Sequence, residues 1–294
     1  MLLSHTHGYL FIANQKVASE SIHLVAGDDA DLGLVRIGMN KHANFNQLLD
    51  LLKKYKLEID FSDLFVFSII REPAEWYVSW YNSRARAPLA NPNHRRHAVY
   101  TGATNFEEFL KLAEGDTPDP MTKVKAQAPF FKRRGKGRVI PVAFPEINKV
   151  FSQFSDASSL STFTLGAPQH HKNKSKIKRL SSSDLTTAQR DFINTRLFPD
   201  DYALFQKALN KSGKSIDIKA DPKAGKDLQE RIKTDPKLAD LAFETAFGFA
   251  TSQLYAGKDI EAVKDALSSY EHTDTDAIVK DAAMRKTRFE NEAS

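Results

Sequence analysis

The feature that most constrains the fold is the run LFVFSII at residues 64–70, apolar almost throughout and bounded by polar residues. A strand exposed on one face alternates apolar with polar residues. A continuous run of this length, rich in β-branched and aromatic residues, is expected of a parallel strand covered on both faces. A second run, YLFIA at 9–13, ends at Asn14 and reads as a buried strand entering a loop, with a helix opening near Ser19. Further helices are expected over 43–56, from Pro73 to about Arg84, and over 105–113. A third strand is expected at 139–144 (VIPVAF), weakened by its internal proline. Residues 181–209 carry a serine-rich cap ahead of a helical run interrupted at Pro199. The expected fold class is α/β, a P-loop-like three-layer domain with a central parallel sheet, plus a C-terminal helical extension. The expected division is a ligand-binding domain over 1–214 and an accessory helical region over 215–294.

Charge follows the same division. The net charge of +5 separates into +9 over residues 1–214 and −4 over 215–294. A basic body of this kind suits an anionic ligand or substrate. The chain has no cysteine, which excludes disulfides and thiolate zinc sites. No signal-peptide pattern and no 18-residue apolar run is visible, so the expectation is a cytoplasmic protein without a membrane span.

Two segments carry chemistry. After YLFIA comes Lys16-Val17-Ala18-Ser19-Glu20-Ser21. A loop that leaves a strand and opens a helix presents backbone N–H groups to an anion, and a lysine and hydroxyls add charge and donors. The spacing GxxxxGK[ST] of nucleoside triphosphatases is absent, and an ordinary strand-to-helix turn would account for the segment alone equally well. The second segment is FSIIREPAEWYVSWY, residues 67–81. Arg71 stands at the carboxyl end of the buried strand, where α/β sheets bind ligands, and Ser79 follows two helical turns later. Arg supplies a planar fork suited to a phosphate monoester and Ser a hydroxyl donor. Trp76, Tyr77, Trp80 and Tyr81 have the spacing of core residues, with room for at most one to face a purine.

Together these segments resemble the PAPS-dependent sulfotransferase superfamily, closest to its carbohydrate (sulfotransferase family 2 type) branches; PAPS is 3′-phosphoadenosine-5′-phosphosulfate. There a loop like KVASTS holds the 5′-phosphosulfate, and a run like RdPyeRlvSaY holds the 3′-phosphate. VAFPEI (142–147), HHKNKSK (170–176) and LFPDDYALF (197–205) follow in the family's order, and the resemblance spans roughly residues 8–209. It implies a sulfotransferase that uses PAPS, releases PAP and needs no metal. Its donor site would comprise Lys16, Val17, Ala18, Ser19, Glu20 and Ser21, the pair Arg71 and Ser79, and the late loop Lys172, Asn173, Lys174 and Ser175. Lys16 would stabilise the leaving phosphate. His42 is the candidate base, following a strand at GLVRIGM (33–39), with Glu20, His5 and His7 in reserve.

Glu20 departs from the pattern, since the family has a threonine there; either it turns outward or the loop binds PAPS weakly. Arg84, Arg86, Arg95 and Arg96 lie where an acceptor channel would open. They favour a hydroxylated, anionic glycan acceptor, unless they are only a solvated surface. Nucleic acid is not implied as a partner. Two rival functions are a non-catalytic nucleotide- or polyanion-binding protein on the same fold and a P-loop-type kinase; the kinase would need a Walker lysine and a magnesium-binding Asp, neither of which is found in context.

Overall fold

The computed structural model describes residues 1–33 except 28, 42–134 except 116 and 118, 138–167 except 166, 180–238 except 212 and 213, and, further on, 259–267, 276, 278–280 and 282–284. The fold is mixed α/β around a five-stranded sheet. Its strands are β1 (Leu2–Ser4), β2 (Tyr9–Ile12), β3 (Leu32–Gly33), β4 (Phe65–Ile70) and β5 (Ile140–Ala143), in the order β3-β1-β2-β4-β5. β2, β4 and β5 pair in parallel, with Ile12 opposite Ser68 and Ile70 opposite Ala143. β1 runs antiparallel to both β2 and β3, so the sheet is mixed where the sequence suggested a parallel one. The reason is the three-residue N-terminal strand, too short to give a periodic signal, which folds back through a tight turn at Gly8 (φ 74°).

Along β2 and β4 successive residues enter two different hydrophobic clusters, as the alternating pleat requires. Leu10, Ile12, Val66 and Ile70 join Phe45, Leu48, Leu51 and Leu52 of helix α2 (Phe45–Tyr55). Tyr9, Phe11, Phe65, Phe67 and Ile69 join residues of helix α1 (Ser19–Ala26), together with Trp76 of α3 (Pro73–Arg84). Both faces of β4 are therefore buried, which is why its sequence is continuously apolar. Pro141 is tolerated because β5 is an edge strand.

α2 begins with a capping box in which the Asn44 side chain accepts from Gln47 N at 3.0 Å. The chain from 85 to 104 is mostly irregular, with a short helix α4 (Ala87–Ala90), and α5 (Phe106–Glu114) packs its aromatic residues against Tyr77 and Tyr81 of α3. After β5 come α6 (Ile147–Phe151) and α7 (Thr187–Asp191). α7 continues as a π-helical turn over Phe192–Leu197 before Pro199 opens α8 (Pro199–Leu209).

Beyond residue 214 the chain returns to the same core. Ile216 and Ile218 pack on the cluster around Phe67, and Leu228 and Ile232 of α9 (Pro222–Thr234) lie in the cluster around α2. A further helix, α10 (Ile260–Leu267), follows. α9 approaches the β1–β2 turn closely. Asp221 N donates to His5 O at 2.8 Å, and a Cβ placed on Gly225 would stand 2.0 Å from Thr6 Oγ1. That hydroxyl is itself fixed by donation to Asp31 Oδ1 at 2.7 Å. Among the described residues no helix is long and apolar enough to cross a membrane.

Gly225→Ala should therefore lower stability by about 1–3 kcal/mol, the usual cost of overpacking. Gly115→Ala, where an added Cβ meets nothing within 4 Å, should change it little. Urea unfolding of the two variants checks the difference.

Candidate functional site

β2 and β4 are hydrogen-bonded neighbours running the same way, so the loops that follow them emerge at one edge of the sheet. The first loop is held by Asn14, buried at 2% exposure, whose Nδ2 donates to Ile69 O at 3.3 Å while its Oδ1 accepts Gln15 N at 2.7 Å. Gln15 O accepts Trp76 Nε1 at 3.0 Å, tying the loop to α3. Lys16 (φ 60°) and Ala18 (φ 62°) are left-handed, with Val17 buried between them. Each such non-glycine residue costs roughly 1–2 kcal/mol. A backbone that alternates hand in this way turns successive N–H groups toward one side, the geometry of an anion nest. Ala18 is also the N-cap of α1 and offers no side-chain acceptor to the first turn. Ser19 is buried, and Glu20 and Ser21 are half-buried in that turn. The Lys16 ammonium lies 5.0 Å from the centre of the Trp80 ring on α3.

Arg71 is the first residue after β4. Its backbone is clamped from both sides by the buried Gln127: Arg71 N donates to Oε1 at 3.1 Å, and Nε2 donates to Arg71 O at 2.8 Å. Gln127 is held in turn by Asp201 at the start of α8, whose two carboxylate oxygens accept Gln127 N and Ala128 N at 2.7 Å each. Burial pushes the Asp201 carboxyl above the ordinary carboxylate range, against the pull of those two N–H groups. The Arg71 guanidinium donates from Nε to Glu75 Oε2 at 3.1 Å and stacks 4.7 Å from the Phe144 ring centre. Phe144 follows β5, so three parallel strands contribute to one edge. The N-terminus of α3 is fixed by Asn194 of the π-turn, which accepts Ala74 N at 3.0 Å and donates to Glu72 at 2.8 Å; Glu72 also pairs with Arg190.

His42 reaches the same edge. Its Nδ1 lies 2.9 Å from Ala13 O, the carbonyl just before the nest. A carbonyl only accepts, so Nδ1 carries the proton and Nε2 of the neutral ring is the acceptor atom. Residues 34–41, which hold all but the first residue of the strand expected over 33–39, lie outside the described residues, as do Lys172, Asn173, Lys174 and Ser175; Gly33 is described, as the second residue of β3.

The structure thus brings together Lys16, Val17, Ala18, Ser19, Glu20, Ser21, Arg71 and His42, with Ser79 half-buried further along α3. It divides the arginine cluster. Arg84 turns inward, donating to Met121 O at 2.5 Å and Lys123 O at 2.7 Å, and stacks on Trp80. Burial pushes its guanidinium down to about 10, so it stays charged at neutral pH. Arg86, Arg95 and Arg96 are exposed. Among the described residues no three His, Asp or Glu side chains converge as a metal site would. Comparison of the chain with protein-family models, with curated proteins and with solved structures gives no match.

Asn14, Gln127 and Trp80 carry much of this geometry: Asn14 reads in the sequence only as the end of a strand and Trp80 as one of four core aromatics. Gln127 is 56 residues from Arg71 in sequence and has no local signal. Asp201 belongs to LFPDDYALF, a stretch recognised without a physical reason for its acid.

Gln127→Leu would leave a buried donor and acceptor of Arg71 without partners and should cost about 1–3 kcal/mol in a thermal or urea melt. For Asp201 the sign follows from its raised folded value. As pH rises from the ordinary 3.8, the unfolded chain loses its proton first, so the folded state binds more protons and this group's contribution to stability falls. Melts of wild type and Asp201→Asn across pH 3.5–6 should show wild type losing ground to the variant as pH rises.

Proposed function

We propose that this chain is a PAPS-dependent sulfotransferase acting on a hydroxyl of a carbohydrate, on a P-loop-like three-layer fold. The observation that carries the reading is the junction of two anion-binding loops at the carboxyl ends of adjacent parallel strands: the left-handed Lys16–Ala18 turn and Arg71, joined through Trp76 and Trp80. A ligand with two separated phosphate groups suits that pair better than one with a single anionic end. Helices packed on both faces of the sheet support the three-layer description.

PAPS bound there would supply the sulfuryl group. The nest amides, Ser19 and Ser21 would receive the 5′ end, and Lys16 would offset charge on the leaving phosphate. Lys16 would have to leave the Trp80 face to do so. Arg71 keeps four N–H donors beyond the one given to Glu75, enough for a bidentate grip on the 3′-phosphate, with Ser79 as a further donor. Nε2 of His42 would take the proton of the acceptor hydroxyl as its oxygen bonds to sulfur and the sulfur–oxygen bond to the phosphate breaks. Arg86, Arg95 and Arg96 would meet an anionic acceptor at the mouth.

Glu20 favours one other reading. A carboxylate in the first turn of α1 stands against a phosphosulfate, and a chain that binds the nucleotide weakly and transfers nothing would tolerate it. Calorimetry with PAP and with ATP separates these readings. Tighter binding of PAP is expected, whereas preference for ATP would move the site to a kinase class. Arg71→Ala should weaken PAP binding by at least about tenfold, and binding of the analogue lacking the 3′-phosphate far less; equal losses would make Arg71 structural. His42→Ala should leave PAP affinity nearly intact and lower turnover by roughly 10²–10⁴-fold. Wild-type turnover should rise with pH as the imidazole loses its proton.

A further inference from the structure

The basic stretch KRRGKGR at 132–138 leads into the amino end of β5, and its described residues are none of those gathered at the crevice. Arg138 lies two residues before β5, which packs against α8, and its charge is the one that acts most strongly on Lys211, just past the C-terminal end of that helix. There Lys207 in the last turn of the helix is followed by Lys211, whose N donates to Ala208 O at 3.1 Å, and by Lys214, whose N donates to Lys211 O at 3.0 Å. All four cations are exposed. Lys111, Lys149, Lys219, Lys233 and Lys264 each pair with a carboxylate, whereas none of these four does so among the described residues. Repulsion from Arg138 above all, then loss of hydration and repulsion from Lys207 and Lys214, holds the Lys211 ammonium below its ordinary value. A cation near a helix C-terminus is favourable by itself, which accounts for Lys207 but not for four like charges gathered from two segments.

The presentation is fixed. Asn46 of α2 donates to Lys132 O at 3.1 Å and accepts Arg134 N at 2.7 Å, pinning the start of the basic stretch to the body of the fold. Arg138 precedes β5, so this cluster stands at the amino edge of the parallel strands, and Lys16 and Arg71 stand at the carboxyl edge.

We propose that Arg138, Lys207, Lys211 and Lys214 form a second binding surface, for a linear polysaccharide bearing sulfate or carboxylate groups. Three features favour that partner. Unpaired like charges in a short row match a chain with repeated anions. No Phe, Tyr or Trp among the described residues is exposed, so the stacking platform of a single-stranded nucleic-acid site is missing. Among the described residues the exposed large apolar ones are Leu112, Ile260 and Met284, none in this cluster, so the described residues give it no anchor for a lipid surface. The proposal rests on these charges and not on the donor-crevice reading.

The test uses the full chain and a heparin dodecasaccharide, with dissociation constants measured by calorimetry at two salt concentrations. Arg138→Glu, Lys207→Glu and Lys211→Glu combined should weaken heparin binding at least about tenfold and flatten its salt dependence, with PAP affinity unchanged. The same charge reversal at Arg86, Arg95 and Arg96 should weaken heparin far less. Equal or larger loss in that second variant would overturn the placement. Tighter binding of a twelve-nucleotide RNA or of phosphatidylserine vesicles than of heparin would overturn the partner. If the reversal variant fails to fold by circular dichroism, the Gln versions of the same three residues give the same readout. Loss of PAP binding in wild type, with heparin binding retained, would count against the sulfotransferase reading alone.

Discussion

Parallel pairing of β2 with β4, from Tyr9 opposite Phe65 to Ile12 opposite Ser68, sets how far apart the loops after those strands can lie. Neighbouring strands stand roughly 4.8 Å apart, so the two loops begin within one strand spacing of each other. The Ser68 hydroxyl strengthens the pairing by donating to Ile12 O at 2.6 Å inside the sheet, at a position where a larger apolar residue would have been ordinary. Everything polar at the carboxyl edge follows from that register, including the Asn14 bridge to Ile69.

A sheet edge alone does not orient side chains. Here the orientation is supplied from distant parts of the sequence. Asp201 fixes Gln127, Gln127 fixes the Arg71 backbone, and Glu75 and Phe144 constrain its guanidinium. The chain accepts real costs for this arrangement: a carboxyl in a poorly hydrated place and two left-handed non-glycine residues. Strain and burial of this kind persist where the surrounding structure over-determines them.

Much of the edge was legible in the sequence because its signals are local. The apolar run at 64–70, Pro73 at the first turn of α3, and the change from strand to loop at Asn14 each announce themselves within a few residues. The N-terminal strand was not legible, because three residues give no period and its antiparallel direction is decided by the turn at Gly8 and the close approach of Lys219. Gln127 was not legible because its role exists only once α8 and β4 are adjacent. The inward turn of Arg84 escaped for a related reason: composition counts a cation, and only packing reveals that its donors are spent on the carbonyls of Met121 and Lys123.

Trp76 and Trp80 are the two tryptophans of the chain. One donates to Gln15 O and the other lies under the Lys16 ammonium, so both indoles border the same turn of backbone. The protein's tryptophan emission therefore originates entirely at this turn, and its eight tyrosines emit at shorter wavelength. A shift of the lysine away from its ring, or of the carbonyl from its indole, would change the only tryptophan emitters the molecule has. An unlabelled solution of this protein thus carries its own optical gauge of that loop.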